Sequence, residues 1–297
     1  MVHFTSNTYQ MKRQILSFSN KISRNLPKPE RKFIADMNYG ILASGSCLLT
    51  DIVDQLQEPS RKINIVDRLS RHLAKGIPKD ALKSYLTQVR KWCPDHPVIH
   101  IDNSDVVKPD GYKFESLGWV RDGSESTATK NVYKKGYHVT EATVLTNNNH
   151  PVSIFSEIHS SKEKGFTSIN DVTFSAMERA AALFERSTFV MDRGYDDNKM
   201  FQFENFRVRK LKAINALNFY LTLCMAFLGH ISMRSETNML KAAIIQTADP
   251  IKEKVTFCYY RLAKGISGIL SYAKEGIRLW FRTKRPAYRQ LCLKLAV

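Results

Sequence analysis

The sequence predicts an α/β fold in which a β-rich middle is flanked by two helical regions. Residues 10–93 carry apolar positions at helical spacing almost throughout. Two later apolar runs, Val98–Ile101 and Phe189–Met191, read as buried core strands that each end in a carboxylate, Asp102 and Asp192. Between them lie a hairpin pattern and a single helical one. A lone helix joining two strands is a crossover, which favours placing them parallel.

The N-terminal helices follow from their apolar faces. Ile15, Phe18 and Ile22 share one face before Pro27 and Pro29 interrupt; Phe33, Met37 and Ile41 share the next, and Leu48, Leu49, Ile52, Val53 and Leu56 a third. A fourth helix carries Ile65, Val66, Leu69 and Leu73 and stops at Gly76 and Pro78. A fifth carries Leu82, Tyr85, Leu86, Val89 and Trp92. Arg68, Arg71, Lys75, Lys79, Lys83, Arg90 and Lys91 decorate this last pair, a basic all-helical module of a type that docks in a DNA groove. The same cations also suit a solvated helix face, and no spacing here defines a helix-turn-helix.

Cys93-Pro94-Asp95-His96-Pro97 cannot continue a helix and marks the boundary of a 1–93 helical region. Residues 94–203 then form the α/β core. After Asp102 comes a loop rich in Gly, Ser and Thr around 122–129. The runs 137–146 and 152–158, with a turn at 147–150, read as a hairpin, and 171–186 returns to helical spacing. Parallel strands gather their reactive residues at their C-terminal ends, so Asp102 and Asp192 are expected to be neighbours able to share a metal ion. An Asp in that position also caps the turn that follows a strand. From 204 to 297 the chain is helical and basic: a long apolar helix through Ile231, then breaks at Gly265, Gly268 and Gly276, then a cationic end with Arg278, Arg282, Lys284, Arg285 and Arg289.

Charge bounds the partners. The chain carries a formal net charge of +17, distributed as +8 over residues 1–100, −3 over 101–200 and +12 over 201–297. Cationic flanks around an acidic centre suit a protein that grips a polyanion and gathers Mg2+ between. A composition of 43% hydrophobic and 25% charged residues excludes a disordered chain. Cys47, Cys93, Cys224, Cys258 and Cys292 show no CxxC pairing, which argues for reduced thiols in a cytosol and against a zinc site. The stretch 216–231 is shorter than a membrane span and holds Asn218, Thr222 and His230, so it is expected to be a core helix, with no membrane partner.

These residues together resemble a known family, the DDE transposases of the insertion-sequence-four group. The likeness is carried by IHIDNSDVVKP at 99–109, the hairpin, VMDRGYDD at 190–197, and ENFRVRKLKAINALNFYLTLCMAF at 204–227. It implies an RNase H-like mixed-sheet core, a helical N-terminal DNA-binding region, and Mg2+- or Mn2+-dependent cleavage and transfer of DNA strands at element ends. Double-stranded terminal repeats are then the partner, bound by a homodimer in the cytoplasm and nucleoid. Asp102 is the first catalytic acid by this resemblance and Asp192 the second, holding two ions roughly 3.5–4 Å apart. Arg193, Arg207, Arg209 and Lys210 would join Arg68, Arg71 and Lys75 on the DNA.

The chain departs from the family pattern after the second acid. There the family has a β-rich insertion and a helix bearing Tyr, Arg, the third acid Glu, and Lys. Here DRGYDDNKMF runs directly into the segment that should follow that helix. An internal deletion with its junction near residues 200–204 is implied, leaving an incomplete core and Glu204 as the nearest substitute ligand. Three readings stay open: an impaired transposase, a non-catalytic DNA-binding remnant that inhibits the full-length enzyme, and a metal-dependent nuclease unrelated to transposition. Mg2+-dependent nicking that is lost on substituting Asp102 or Asp192 would separate the first from the second, and cutting without end specificity would mark the third.

Overall fold

The computed structural model describes residues 6–123, 125–127, 129–191, 206–233, 238–248 and 261–271. Five helices open the chain: α1 (Ser6–Ile22), α2 (Lys28–Ser44), α3 (Leu49–Leu56), α4 (Lys62–Ala74) and α5 (Lys79–Trp92). The breaks have local causes. Pro27 and Pro29 stand at the entry to α2, where a missing N–H costs nothing. Gly45 ends that helix in the left-handed conformation, φ 65°, its N–H bonded to the Ile41 carbonyl.

A mixed sheet follows, built from β1 (Val98–Val107), β2 (Gly118–Arg121), β3 (Tyr133–Leu145), β4 (Pro151–His159) and β5 (Thr188–Met191). Its order is β2-β3-β1-β5, with β4 also paired to β3. β3 and β4 form the expected antiparallel hairpin. Helix α6 (Ile169–Leu183), N-capped by the Ser168 hydroxyl accepting from the Asp171 N–H at 3.1 Å, is the crossover. It delivers β5 parallel to β1, with Val98 to Ile101 opposite Thr188 to Met191.

Two expectations about these strands need correction. β1 does not stop at Asp102 but continues to Val107, because the alternating polar residues Asn103 and Asp105 pair across the ladder with Thr140 and His138 of β3. β5 is not buried. Val190 is 37% and Met191 62% exposed, since among the described residues β1 is the only strand paired with β5 and the side chains at 190 and 191 lack cover.

Helix α7 (Leu211–Met233) is apolar on nearly every side, the composition of a helix enclosed by other elements. It packs on β4 and on α2 and α4. By length and hydropathy it could cross a membrane, but 78% of its apolar window is buried within the chain. Residues 238–248 form α8, and 261–271 are helical. One contiguous cluster of buried side chains runs from Met11 of α1 through the sheet and α7 to Leu270.

The contact between α7 and the sheet is specific. Asn215 accepts from the Ile158 N–H at 2.8 Å and donates to the Ile158 carbonyl at 2.9 Å, satisfying the outward backbone groups of β4. One turn on, Asn218 donates to the Ser156 hydroxyl at 2.7 Å. Replacing Asn215 by Ala leaves two backbone groups of β4 without partners. The expected loss is about 1–3 kcal/mol, read as a lowered urea midpoint at unchanged slope; an unchanged midpoint would show that the amide does not hold the helix to the strand.

Candidate functional site

Asp102 stands one residue beyond Ile101, the last residue of β1 paired with β5. Its partner across the antiparallel ladder is Glu141 of β3. Cross-strand partners share a face of the sheet, so two carboxylates lie together in mid-strand. Like charges so placed repel. A pair of hard oxygen donors is also the kind of ligand set that a divalent cation takes. Glu141 is close enough to Tyr85 of α5 to add to the effect of burial, which already holds that hydroxyl well above its ordinary pKa. Among the described residues no group of three or more His, Cys, Asp or Glu side chains is arranged to hold a metal.

Other residues of β1 carry a second polar set. The Asp105 carboxylate meets His138 Nδ1 at 2.6 Å. Thr140 donates to Asn103 Oδ1 at 2.6 Å, so its oxygen is left to accept from His159 Nε2 at 2.9 Å. That fixes the tautomer of His159 and leaves Nδ1, buried, without a hydrogen-bond partner. Burial, reinforced by His138 and opposed by Asp105, pushes the His159 pKa down from 6.5 to about 4. These residues ride on polar positions within the strand runs, an alternation legible in the sequence once β1 is extended to Val107.

The basic residues gather at the entry to α7. Lys108, buried at the end of β1, donates to the Phe206 carbonyl at 3.0 Å, and its ammonium lies 3.8 Å from the centre of the Phe206 ring. Glu115 accepts from the Leu211 N–H at 2.8 Å, which caps α7, and its own N–H donates to the Arg209 carbonyl at 2.9 Å. Residues 206–211 are thereby clamped at both ends, and Arg207, Arg209 and Lys210 are exposed. They line a groove of about 440 Å³ whose opposite wall includes Thr50 of α3 and Asp67, Ser70 and Ala74 of α4. Arg71 and Lys75, also exposed, neighbour that wall in sequence.

No family model, curated protein or solved structure matches the chain. The geometry alone therefore sorts the residues singled out in the sequence. It brings Arg207, Arg209 and Lys210 to the same groove as the α4 residues beside Arg71 and Lys75. Arg68 is instead engaged within the fold, where its guanidinium bridges Asp36 at 2.8 Å and binds Glu58 through both of its terminal nitrogens, at 2.9 and 2.7 Å. Lys32 closes the network onto the same two acids, each at 2.7 Å. Asp192, Arg193 and Glu204 lie outside the described residues. Cys47, Cys93 and Cys224 are buried, and burial pushes the first two thiols up to about 12.

His159 makes stability depend on pH. Its folded pKa lies below its unfolded one, so between pH 6.5 and about 4 the unfolded chain binds the extra proton. Stability therefore falls as pH drops through that window, by about 3 kcal/mol from this residue. A His159→Gln chain, whose amide can still donate to Thr140, is expected to lose that part of the slope in denaturant titrations at pH 4 and pH 7. Equal slopes in the two chains would mean that His159 is not held neutral.

Proposed function

We propose that the chain is a DNA-binding protein built on the core of a DDE transposase, with an RNase H-like sheet in which Asp102 is the first catalytic acid. The observation that carries this reading is the position of Asp102 on β1, immediately past the parallel β1–β5 register, in a sheet ordered β2-β3-β1-β5 with β4 paired to β3 and a helical crossover into β5. Met191 is the register partner of Ile101, and Asp192 and Asp102 each follow these residues directly in sequence. The exposed cations Arg207, Arg209 and Lys210, with Arg71 and Lys75, supply the other half: they neutralise backbone phosphates of a duplex and orient it.

Asp102 and Asp192 would hold Mg2+, which supplies polarisation of a phosphoryl oxygen and activation of the attacking hydroxyl. The clamped 206–211 segment fixes the backbone that carries its cations, so that less of the chain has to be ordered on binding. A non-catalytic remnant is the second reading. It is favoured by the sequence between Asp197 and Phe206, where Glu204 is the only carboxylate available as a third acid.

Both readings require DNA binding that weakens with salt, and they part on cleavage. With a duplex of about 25 base pairs, the Arg207/Arg209/Lys210→Gln chain is expected to lower the log–log salt slope by about 2–3, close to one per phosphate contact removed. An unchanged slope would remove these cations from the interface. On supercoiled plasmid with Mg2+, any nicking is expected to disappear in Asp102→Asn. Nicking that survives that substitution would overturn the catalytic assignment, and no nicking by the parent chain would favour the remnant.

A further inference from the structure

We infer that a groove along α1 is a second track for the sugar–phosphate backbone of duplex DNA, separate from the cations at the entry to α7. The inference rests on the DNA-binding reading above and adds a surface to it. The groove measures about 760 Å³, and Tyr9, Lys12, Arg13, Lys21, Arg24 and Arg31 are among its lining residues. Among the described residues, no acidic side chain lines it.

The construction of α1 accounts for this surface. Met11, Ile15, Phe18 and Ile22 are buried at 4% exposure or less and form its inner face. The outer face is left to the cations, and the helix contains no Asp or Glu to pair with them. All five cations of the groove are exposed. Lys12 lies over the Tyr39 ring at 5.3 Å, and among the described residues none of the five forms an ion pair with a carboxylate. Lys32, next to Arg31 in sequence, behaves differently, being bound by both Asp36 and Glu58. Five cations left together without counter-charge repel one another and favour a polyanionic occupant.

Charge complementarity selects the occupant. Residues 272–297 carry seven Lys and Arg against one Glu, so this chain's own end has the wrong sign to fill the groove. Nine residues of helix separate Lys12 from Lys21, about 13 Å of axial rise. At 3.4 Å of axial rise per phosphate of one strand, that length spans roughly four phosphate steps along the duplex axis. Tyr9, 71% exposed, adds a hydroxyl donor of the kind that binds phosphate.

The test uses the full chain, a labelled duplex of about 25 base pairs and a salt titration. The Lys12/Lys21/Arg24→Gln chain is expected to lower the salt slope by about 2–3 and to weaken binding at 0.1 M salt on the order of 10²-fold, with an unchanged melting temperature. In the parent chain, bound duplex is expected to protect Lys12 and Lys21 from acetylation, a readout that needs no variant to fold. Parent-like binding by the groove variant, with Arg207/Arg209/Lys210→Gln weakened, would overturn the α1 track and leave the DNA-binding reading standing. Acetylation of Lys12 and Lys21 unaffected by duplex would overturn the track as well. Loss of binding to single-stranded oligonucleotide or to anionic vesicles, with duplex binding intact, would assign the groove to another occupant. A parent chain that binds no duplex would overturn both.

Discussion

The amide of Asn215 is the contact on which the rest of the architecture depends. An apolar helix as long as α7 gains most of its stability from enclosure, and a sheet with a bare strand edge has backbone donors and acceptors without partners. Asn215 answers both needs at one point by bonding to the N–H and the carbonyl of Ile158. With the helix seated on β4, its other sides are free to receive α2 and α4, so the N-terminal helices and the sheet share a core through it. Lys108 and Glu115 set where the helix begins, and in doing so they set where Arg207, Arg209 and Lys210 stand. Docking of the sheet and presentation of the cations thus have one mechanical origin.

The sheet in turn carries its polar chemistry along a single strand. β1 presents Asp102 opposite Glu141, and further on it presents Asn103 and Asp105 to Thr140 and His138. Asn103 and Asp105 are exposed, but Thr140 and His159 are buried, and each polar group taken from water needs a partner. The Asn103–Thr140–His159 chain meets that need at every step but one, the bare Nδ1 of His159. Asp102 and Glu141 are register partners across the same ladder, and like charges so placed repel.

Much of this was legible in the sequence. The five N-terminal helices, the hairpin, the crossover helix and the parallel placement of β1 and β5 follow from periodicity and from a handful of Pro and Gly breaks. What was not legible depends on contacts between distant residues. Arg68 looked like a surface cation until its acids, 32 and 10 positions away, were brought to it. Asn103 and Asp105 looked like the start of a loop, since nothing local says that a polar run will be paired from the neighbouring strand. The four residues of β2 are too few to show a period. β5 read as buried because its composition is that of a core strand, whereas its exposure is set by its surroundings and not by its own side chains. The cations of α1 are scattered through an ordinary amphipathic pattern, and only the fold reveals that the groove they line holds no acid among the described residues.

The claim that most needs a direct measurement is that Asp102 is a cation ligand. Titrating the full chain with Mn2+ and following the free ion by electron paramagnetic resonance counts bound ions without requiring turnover. The expected result is one ion per chain in the parent and none in Asp102→Asn, with both chains melting alike. Binding that persists in Asp102→Asn, or a parent chain that binds no ion, would contradict it.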